Sequence, residues 1–254
     1  MEKRLDKNVT IITGGGKGIG FGIAKAFAKE GSNLVITGRT ESRLMAAKEK
    51  LEAAYGVEVL PIVADGADEE AIKSVIAQTV ARFGKINTLV NNAQVSKSGL
   101  PLVDHTKEDF DLAIYSGLYA AFFYMRECHP YLKESRGSVI NFASGAGLFG
   151  KLGQSSYAAA KEGIRGLSRV AAAEWGPDGI RVNVICPLAM TESLQDWKEH
   201  FPELFEKTIQ GIPLGHFADP KDDIGRVAVF LASEDAHYVT GETITLQGGS
   251  GLRP

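Results

Sequence analysis

The sequence is poor in the residues that announce the simplest functions. Cys128 and Cys186 are its only cysteines, far apart and without Cys or His partners at metal-ligand spacing. That argues against a zinc module or disulfide framework and fits small buried thiols in a reducing compartment. The five histidines are dispersed, so no metal site is expected. Charge of one sign is lacking too: 28 Lys and Arg against 31 Asp and Glu leave a net −3. With its cations scattered, the chain has no stripe for phosphate backbones, which argues against a nucleic-acid partner. No apolar run reaches membrane-spanning length. The opening "MEKRLDKNVTIITGGG" loses its apolar character at glycines after Ile12, too soon for a signal-peptide core. A cytoplasmic protein bound to no membrane is expected. No repeat, low-complexity tract or linker interrupts the 254 residues, and one domain over 1–254 is the natural reading.

What the chain does have is alternation. "NVTIITG", "NLVITG", "VEVLPIVAD", "INTLVNNA", "GSVINFAS", "IRVNVICP" and "ETITLQGG" are short, β-branched and almost continuously apolar, as strands buried on both faces are. Between them lie helical patterns, several closed by glycine. The alternation predicts an α/β fold: a doubly wound parallel sheet of about seven strands with helices on both faces. After the sixth strand the pattern breaks into a long insertion, about 188–216, in which Leu194, Trp197, Phe201, Leu204 and Phe205 recur at helical spacing around Pro202. Two short helices are expected there, at the strand end where such sheets bind ligands. They serve either as a small substrate lid or as a stripe packed on the core.

The turn after the first strand, "TGGGKGIG" from Thr13 to Gly20, has the composition of a phosphate cradle. Gly14, Gly16, Gly18 and Gly20 permit a tight turn and close backbone approach, and Lys17 and Ile19 open the helix whose N–H groups face the phosphate. The strand, turn and helix lie within a βαβ unit of the right length for a Rossmann-type dinucleotide site. At the end of the second strand, where an acidic residue would bind the ribose hydroxyls of NAD, the chain reads Thr37-Gly38-Arg39. Arg39 and Lys17 suit a 2′-phosphate instead, predicting NADP as the cofactor.

A third feature is the pair Tyr157 and Lys161 in "SSYAAAKEGIRG". Four residues apart on a helix, they share a face otherwise trimmed to small residues. Ser144 closes the preceding strand and aims at the same crevice. A phenol near pKa 10 would exchange protons at neutrality only if its phenolate were favoured by roughly 3 units, which an ammonium and an oxidised nicotinamide would supply. Taken alone the pair would read as a core tyrosine with a snorkelling lysine; Ser144 and the glycine loop argue for chemistry.

Taken together, Thr13 to Gly20, Asn91-Asn92-Ala93, Ser144, Tyr157 with Lys161, Asn183 with Pro187, and the closing Gly241 to Gly249 segment resemble the short-chain dehydrogenase/reductase family over essentially the full length. The resemblance implies that Tyr157 is the general acid/base and that Ser144 hydrogen-bonds the reacting oxygen. It implies that Lys161 holds the nicotinamide ribose while lowering the Tyr157 pKa. It also implies that Asp65 contacts the adenine, that Asn92 and Ala93 lie along the cofactor with Pro187 and Thr191 near the nicotinamide, and that the chain is a homo-oligomer, tetramer or dimer.

The chain departs from the family pattern in three places. Gln94 stands where the family has glycine, and Gly117, beside Ser116, stands where it has a catalytic asparagine. Pro187-Leu188 replaces Pro-Gly, with Thr191 one residue early. These departures resemble a bacterial subgroup that includes NADP-dependent 12α-hydroxysteroid dehydrogenases acting on bile acids. The expected activity is therefore oxidoreduction between secondary alcohol and ketone on a hydroxysteroid, with Gln94, Ser144, Leu188 and Trp197 touching the substrate. A generic reductase of 3-oxoacyl thioesters or small ketones shares the constellation, and a nucleotide-binding regulator weak in catalysis is the alternative of another class.

Overall fold

A computed structural model describes residues 3–251. Seven strands, β1 (Val9–Thr13), β2 (Asn33–Gly38), β3 (Val59–Val63), β4 (Thr88–Asn91), β5 (Ser138–Phe142), β6 (Arg181–Pro187) and β7 (Thr243–Leu246), form one sheet in the order β3-β2-β1-β4-β5-β6-β7. Every pairing is parallel. All seven expected strands are present. Their side chains alternate between two cores, which is why the strands read as continuously apolar. Val35, Ile11, Leu89, Val139 and Val182 stand in one register row and belong to one core. Ile36, Ile12, Val90 and Ile140, one residue on, belong to the other.

Ten α-helices connect the strands: α1 (Gly18–Lys29), α2 (Glu41–Tyr55), α3 (Glu69–Phe83), α4 (Lys107–Ala113), α5 (Ala120–Ser135), α6 (Gly145–Phe149), α7 (Ser155–Trp175), α8 (Glu192–His200), α9 (Pro202–Gln210) and α10 (Arg226–Ala232). Phe27 of α1, Leu51 of α2 and Leu231 of α10 fill one core, and Ile72 of α3, Leu132 of α5 and Ala171 of α7 the other. Local signals set several ends. The Asp68 carboxylate accepts from the Glu70 and Ala71 N–H groups at the start of α3, and Gly84, at φ 73°, ends it in the left-handed conformation that glycine adopts without strain.

Three details differ from the sequence pattern. The helical pattern of "KEDFDLAIYSGLYAAFFYMREC", Lys107 to Cys128, is broken by a π-helical turn, Ile114–Tyr119, and the helix continues through Pro130 to Ser135. Pro130 removes one backbone bond, yet Leu132 beyond it is fully buried, and that anchorage holds the last turn in place. The residues after β5, not among the helical patterns, form the single turn α6 under a Ser144 cap.

A second π-helical segment, Pro220–Gly225, leads into α10 and crosses α1. Glycine permits this crossing on both sides. A Cβ on Gly225 would lie 2.6 Å from that of Ala26, and one on Gly22 would run into Pro220. Among the described residues no helix is long and apolar enough to cross a membrane, and no three His, Cys, Asp or Glu side chains gather as a metal site.

Candidate active site

The carboxyl ends of the strands open onto two cavities. One, of about 400 Å³, is walled by the β1–α1 loop and by the residues that follow β2, β3 and β4. Gly14 at φ +69° and Gly18 at φ +53° take conformations open to glycine. Lys17 caps α1 with no side-chain bond, and the first turn carries no acidic residue, so the helix presents uncompensated N–H groups and the positive end of its dipole to the cavity. Gly16, Lys17, Ile19, Asn92, Ala93 and Thr191 also line it. Gly20, expected beside them, is not on the wall. A Cβ there would collide with the Gly14 carbonyl, so its role is close packing under the loop. Asn92 ties the floor together. Its Nδ2 donates to the Thr13 carbonyl at 2.9 Å, while Thr13 Oγ1 accepts from the Asn92 and Ala93 N–H groups at 3.0 Å each.

Past β2 the wall is cationic. Arg39, Arg43 and Lys17 border it, and Asp65 and Glu192 are the only carboxylates on the lining. Asp65 follows β3, where its Oδ1 accepts from the Ala67 N–H at 3.0 Å. Arg43 was not singled out in the sequence; the available signal was its place four residues after Arg39, in the first turn of α2. A glycine cradle, an open helix N-terminus and a cluster of cations fit the pyrophosphate and a phosphorylated ribose of a dinucleotide.

The second cavity, about 530 Å³, is lined by Ser144, Tyr157, Pro187 and Leu188. Ser144 follows β5, and its hydroxyl accepts from the Ala146 N–H at 3.1 Å. Tyr157 enters from the first turn of α7. Burial holds its phenol above the ordinary pKa, while a side-chain hydrogen bond with Ser144 pulls the other way. One turn on, Lys161 is 3% exposed. Its Nζ donates to the Phe142 carbonyl at 2.7 Å and lies 5.5 Å from the centre of the Tyr157 ring. Burial lowers the Lys161 pKa from 10.5 to about 7. The expected depression of the Tyr157 pKa by Lys161 is therefore not a property of the protein alone: desolvation dominates both groups and disfavours both charges.

This burial has a stability consequence. Between pH 7 and 10.5 the unfolded chain holds the Lys161 proton that the folded chain releases, so stability rises with pH across that window and the full cost applies below it. Lys161→Met is expected to raise the melting temperature at pH 6 by several degrees, the effect of a gain of about 2 kcal/mol, with the difference shrinking toward pH 10. Melts of both proteins across that range check this, and an equal difference at every pH would refute it.

A sequence profile described as enoyl-(acyl carrier protein) reductase matches residues 14–250. The chain belongs to the short-chain dehydrogenase/reductase family. A 12α-hydroxysteroid dehydrogenase of Clostridium sp. is 61% identical over 256 residues, spanning 98% of this chain and 99% of that protein. A 3-oxoacyl-(acyl-carrier-protein) reductase of Thermotoga maritima is 35% identical over 97% of this chain and 98% of its own length. Among solved structures, levodione reductase superposes with a TM-score of 0.92 at 34% identity, covering 98% of this chain and 99% of that one. As a short-chain dehydrogenase/reductase the protein is an oxidoreductase that works with a nicotinamide cofactor.

Within this short-chain dehydrogenase/reductase the unusual residues Gln94 and Gly117 interlock. A Cβ on Gly117 would lie 2.6, 2.8 and 2.9 Å from the carboxamide atoms of Gln94: the amide occupies the space a side chain at 117 would need. Gln94 Nε2 donates to the Ala113 carbonyl at 3.4 Å, and its Oε1 is buried with no hydrogen-bond partner among the described residues. Gln94, expected against the substrate, thus sits under the π-helical turn and on the wall of the first cavity. Neighbouring Ser116 is committed elsewhere. Its hydroxyl lies 2.6 and 2.8 Å from the carbonyls of Leu112 and Val95 and accepts from the Val95 N–H at 3.0 Å.

The other expected residues divide between the cavities. Tyr157, expected both at the proton transfer and against the cofactor, and Pro187, expected near the nicotinamide, line the second cavity, and Lys161, expected at the nicotinamide ribose, is on neither lining. Leu188 faces the second cavity and Trp197 does not. Trp197 packs on Phe205, 5.8 Å between ring centres, in a cluster with Leu194 and Phe217. The α8–α9 stripe therefore closes on its own small core, leaving Phe201 and Leu204 half exposed.

Proposed function

We propose that this protein is an NADP(H)-dependent hydroxysteroid dehydrogenase interconverting the 12α-hydroxyl and 12-ketone of bile acids. The observation that carries the proposal is the 61% identity, end to end, with the clostridial 12α-hydroxysteroid dehydrogenase, against 35% for the 3-oxoacyl reductase. The preference for NADP rests on Arg39 after β2, Arg43 in the first turn of α2 and Lys17 in the glycine loop, which share one cavity wall and suit a 2′-phosphate.

In this reading Gly14, Gly16, Gly18 and Ile19 hold the pyrophosphate, Asp65 the adenine, and Asn92, Ala93, Pro187 and Thr191 flank the remainder. When bound, the nicotinamide supplies the hydride acceptor or donor. Ser144 fixes the substrate oxygen by hydrogen bonding. In the oxidative direction Tyr157 takes the hydroxyl proton and in reduction returns it. Lys161 anchors the nicotinamide ribose and gains the polar partners its burial denies it. The α8–α9 insertion acts as the lid, its half-exposed Phe201 and Leu204 offering apolar surface to a steroid. The exposed row Leu112, Tyr115, Tyr119 and Phe122, from the end of α4 through the π-helical turn into α5, provides a face for a second copy in a homo-oligomer, and we place the protein in the cytoplasm.

Following nicotinamide absorbance with purified protein tests this. Cholate and deoxycholate, which carry the 12α-hydroxyl, are expected to turn over with NADP+ at least tenfold more efficiently than with NAD+, and chenodeoxycholate, which lacks it, is expected to be inert. Silence on every bile acid with turnover of an acetoacetyl thioester and NADPH would replace this reading with the 3-oxoacyl reductase.

A further inference from the structure

The lining of the second cavity joins the reactive groups to a charge. Ser144 and Tyr157 are half-buried on it, and Lys151 is exposed. Lys151 is the only charged side chain on that lining, and among the described residues no carboxylate lies within ion-pair distance of it. The other polar side chains on the lining, Ser96, Ser98, Ser144, Gln154, Tyr157 and Gln247, add no carboxylate.

The backbone around Lys151 is set rather than loose. Gly150 and Gly153, at φ +68° and +71°, bracket a turn in which the Lys151 N–H donates to the Ala146 carbonyl at 3.1 Å. Gly153 in turn accepts from the Gly99 N–H at 2.8 Å. A Cβ on Gly153 would lie only 3.1 Å from Gly99, so the two loops bearing Lys151 and the serines touch backbone to backbone. Immediately beyond, α7 begins at Ser155 after Gln154, with no side-chain cap and no acidic residue in its first turn, so its dipole adds positive potential where Gln154 lines the cavity.

A cavity that combines apolar surface from Phe149, Pro187 and Leu188 with a single charged side chain, a cation, on the lining it shares with Ser144 and Tyr157 suits an amphipathic anion. We infer that Lys151 is a specificity residue that pairs the side-chain carboxylate of the steroid while the far hydroxyl reaches Ser144 and Tyr157. The inference rests on the hydroxysteroid reading and extends it: the substrate is recognised as a carboxylate as well as a steroid. Lys151 touches no reacting atom, so its removal acts on binding and leaves the chemical step alone.

The test compares cholate with its methyl ester, which keeps the rings and hydroxyls and loses the charge. Lys151→Gln is expected to raise KM for cholate about fivefold, the size of a partly exposed ion pair, with kcat and the KM of the ester within twofold of wild type. Added salt should raise the wild-type KM for cholate and leave that of the variant unchanged, and Lys151→Arg should restore the wild-type values. A Lys151→Gln variant that shifts acid and ester alike, or shifts neither, overturns the inference while the steroid reading stands. A wild-type protein inert toward both compounds overturns the steroid reading itself.

Discussion

Tyr157→Phe is expected to cut turnover about 10³-fold, within the range for losing a positioned proton donor, while NADPH binds within twofold of wild type. Phenylalanine keeps the ring beside the Lys161 ammonium and on the wall of the second cavity. It removes only the hydroxyl that bonds with Ser144. Few exchanges separate chemistry from packing so cleanly, because the ring stays half-buried in either case. Single-turnover rates alongside a fluorescence titration with NADPH measure the two quantities independently. Turnover unchanged from wild type would remove Tyr157 from proton transfer, and lost NADPH binding would make its role structural.

The second large effect concerns the interlocked pair. Gly117→Asn places the family's usual residue where the Gln94 carboxamide already lies, with no more than 2.9 Å between its Cβ and the amide atoms. Overpacking of this kind is expected to cost about 2 kcal/mol or more and to displace the π-helical turn that packs against α7. Gln94→Gly alone empties the space and strips the amide contact to Ala113. Made together, the two changes swap one filler for the other, and most of the stability lost by Gly117→Asn is expected to return. Thermal melts of the two single variants and the double give a coupling energy on the order of 1–3 kcal/mol. Strictly additive effects would show that the two residues are independent.

The sheet was legible in the sequence because its inner strands are buried on both faces and announce themselves by nearly continuous apolar runs, and the phosphate turn because its glycines have a backbone reason that spacing alone exposes. Tyr157, Lys161 and Ser144 were legible as neighbours because helix periodicity and strand end bring them together. What escaped depends on contacts distant along the chain. Gln94 and Gly117 are separate departures when read as letters; only the fold puts one inside the space of the other. Trp197 has the spacing of a ligand wall and of a core stripe alike, and Phe205 and Phe217 decide for the second. The lowered pKa of Lys161 is a burial effect, and nothing in a Tyr-x-x-x-Lys spacing says that the ammonium will end beneath the sheet end with a single carbonyl as its bonded partner.

The crossing of α1 by Pro220–Gly225 bears on how the protein is made. Strands β1 to β3 and their helices, the phosphate loop among them, lie within the first third of the chain, and a growing polypeptide would have them long before it ends. Yet the face of α1 that holds Gly22 and Ala26 meets residues synthesised some two hundred positions later. The helix that presents the phosphate loop thus stays without its last packing partner until nearly the whole protein has left the ribosome. Contacts so distant in sequence form late, so a nascent chain cut short before Pro220 carries the complete glycine motif without the crossing that seats it.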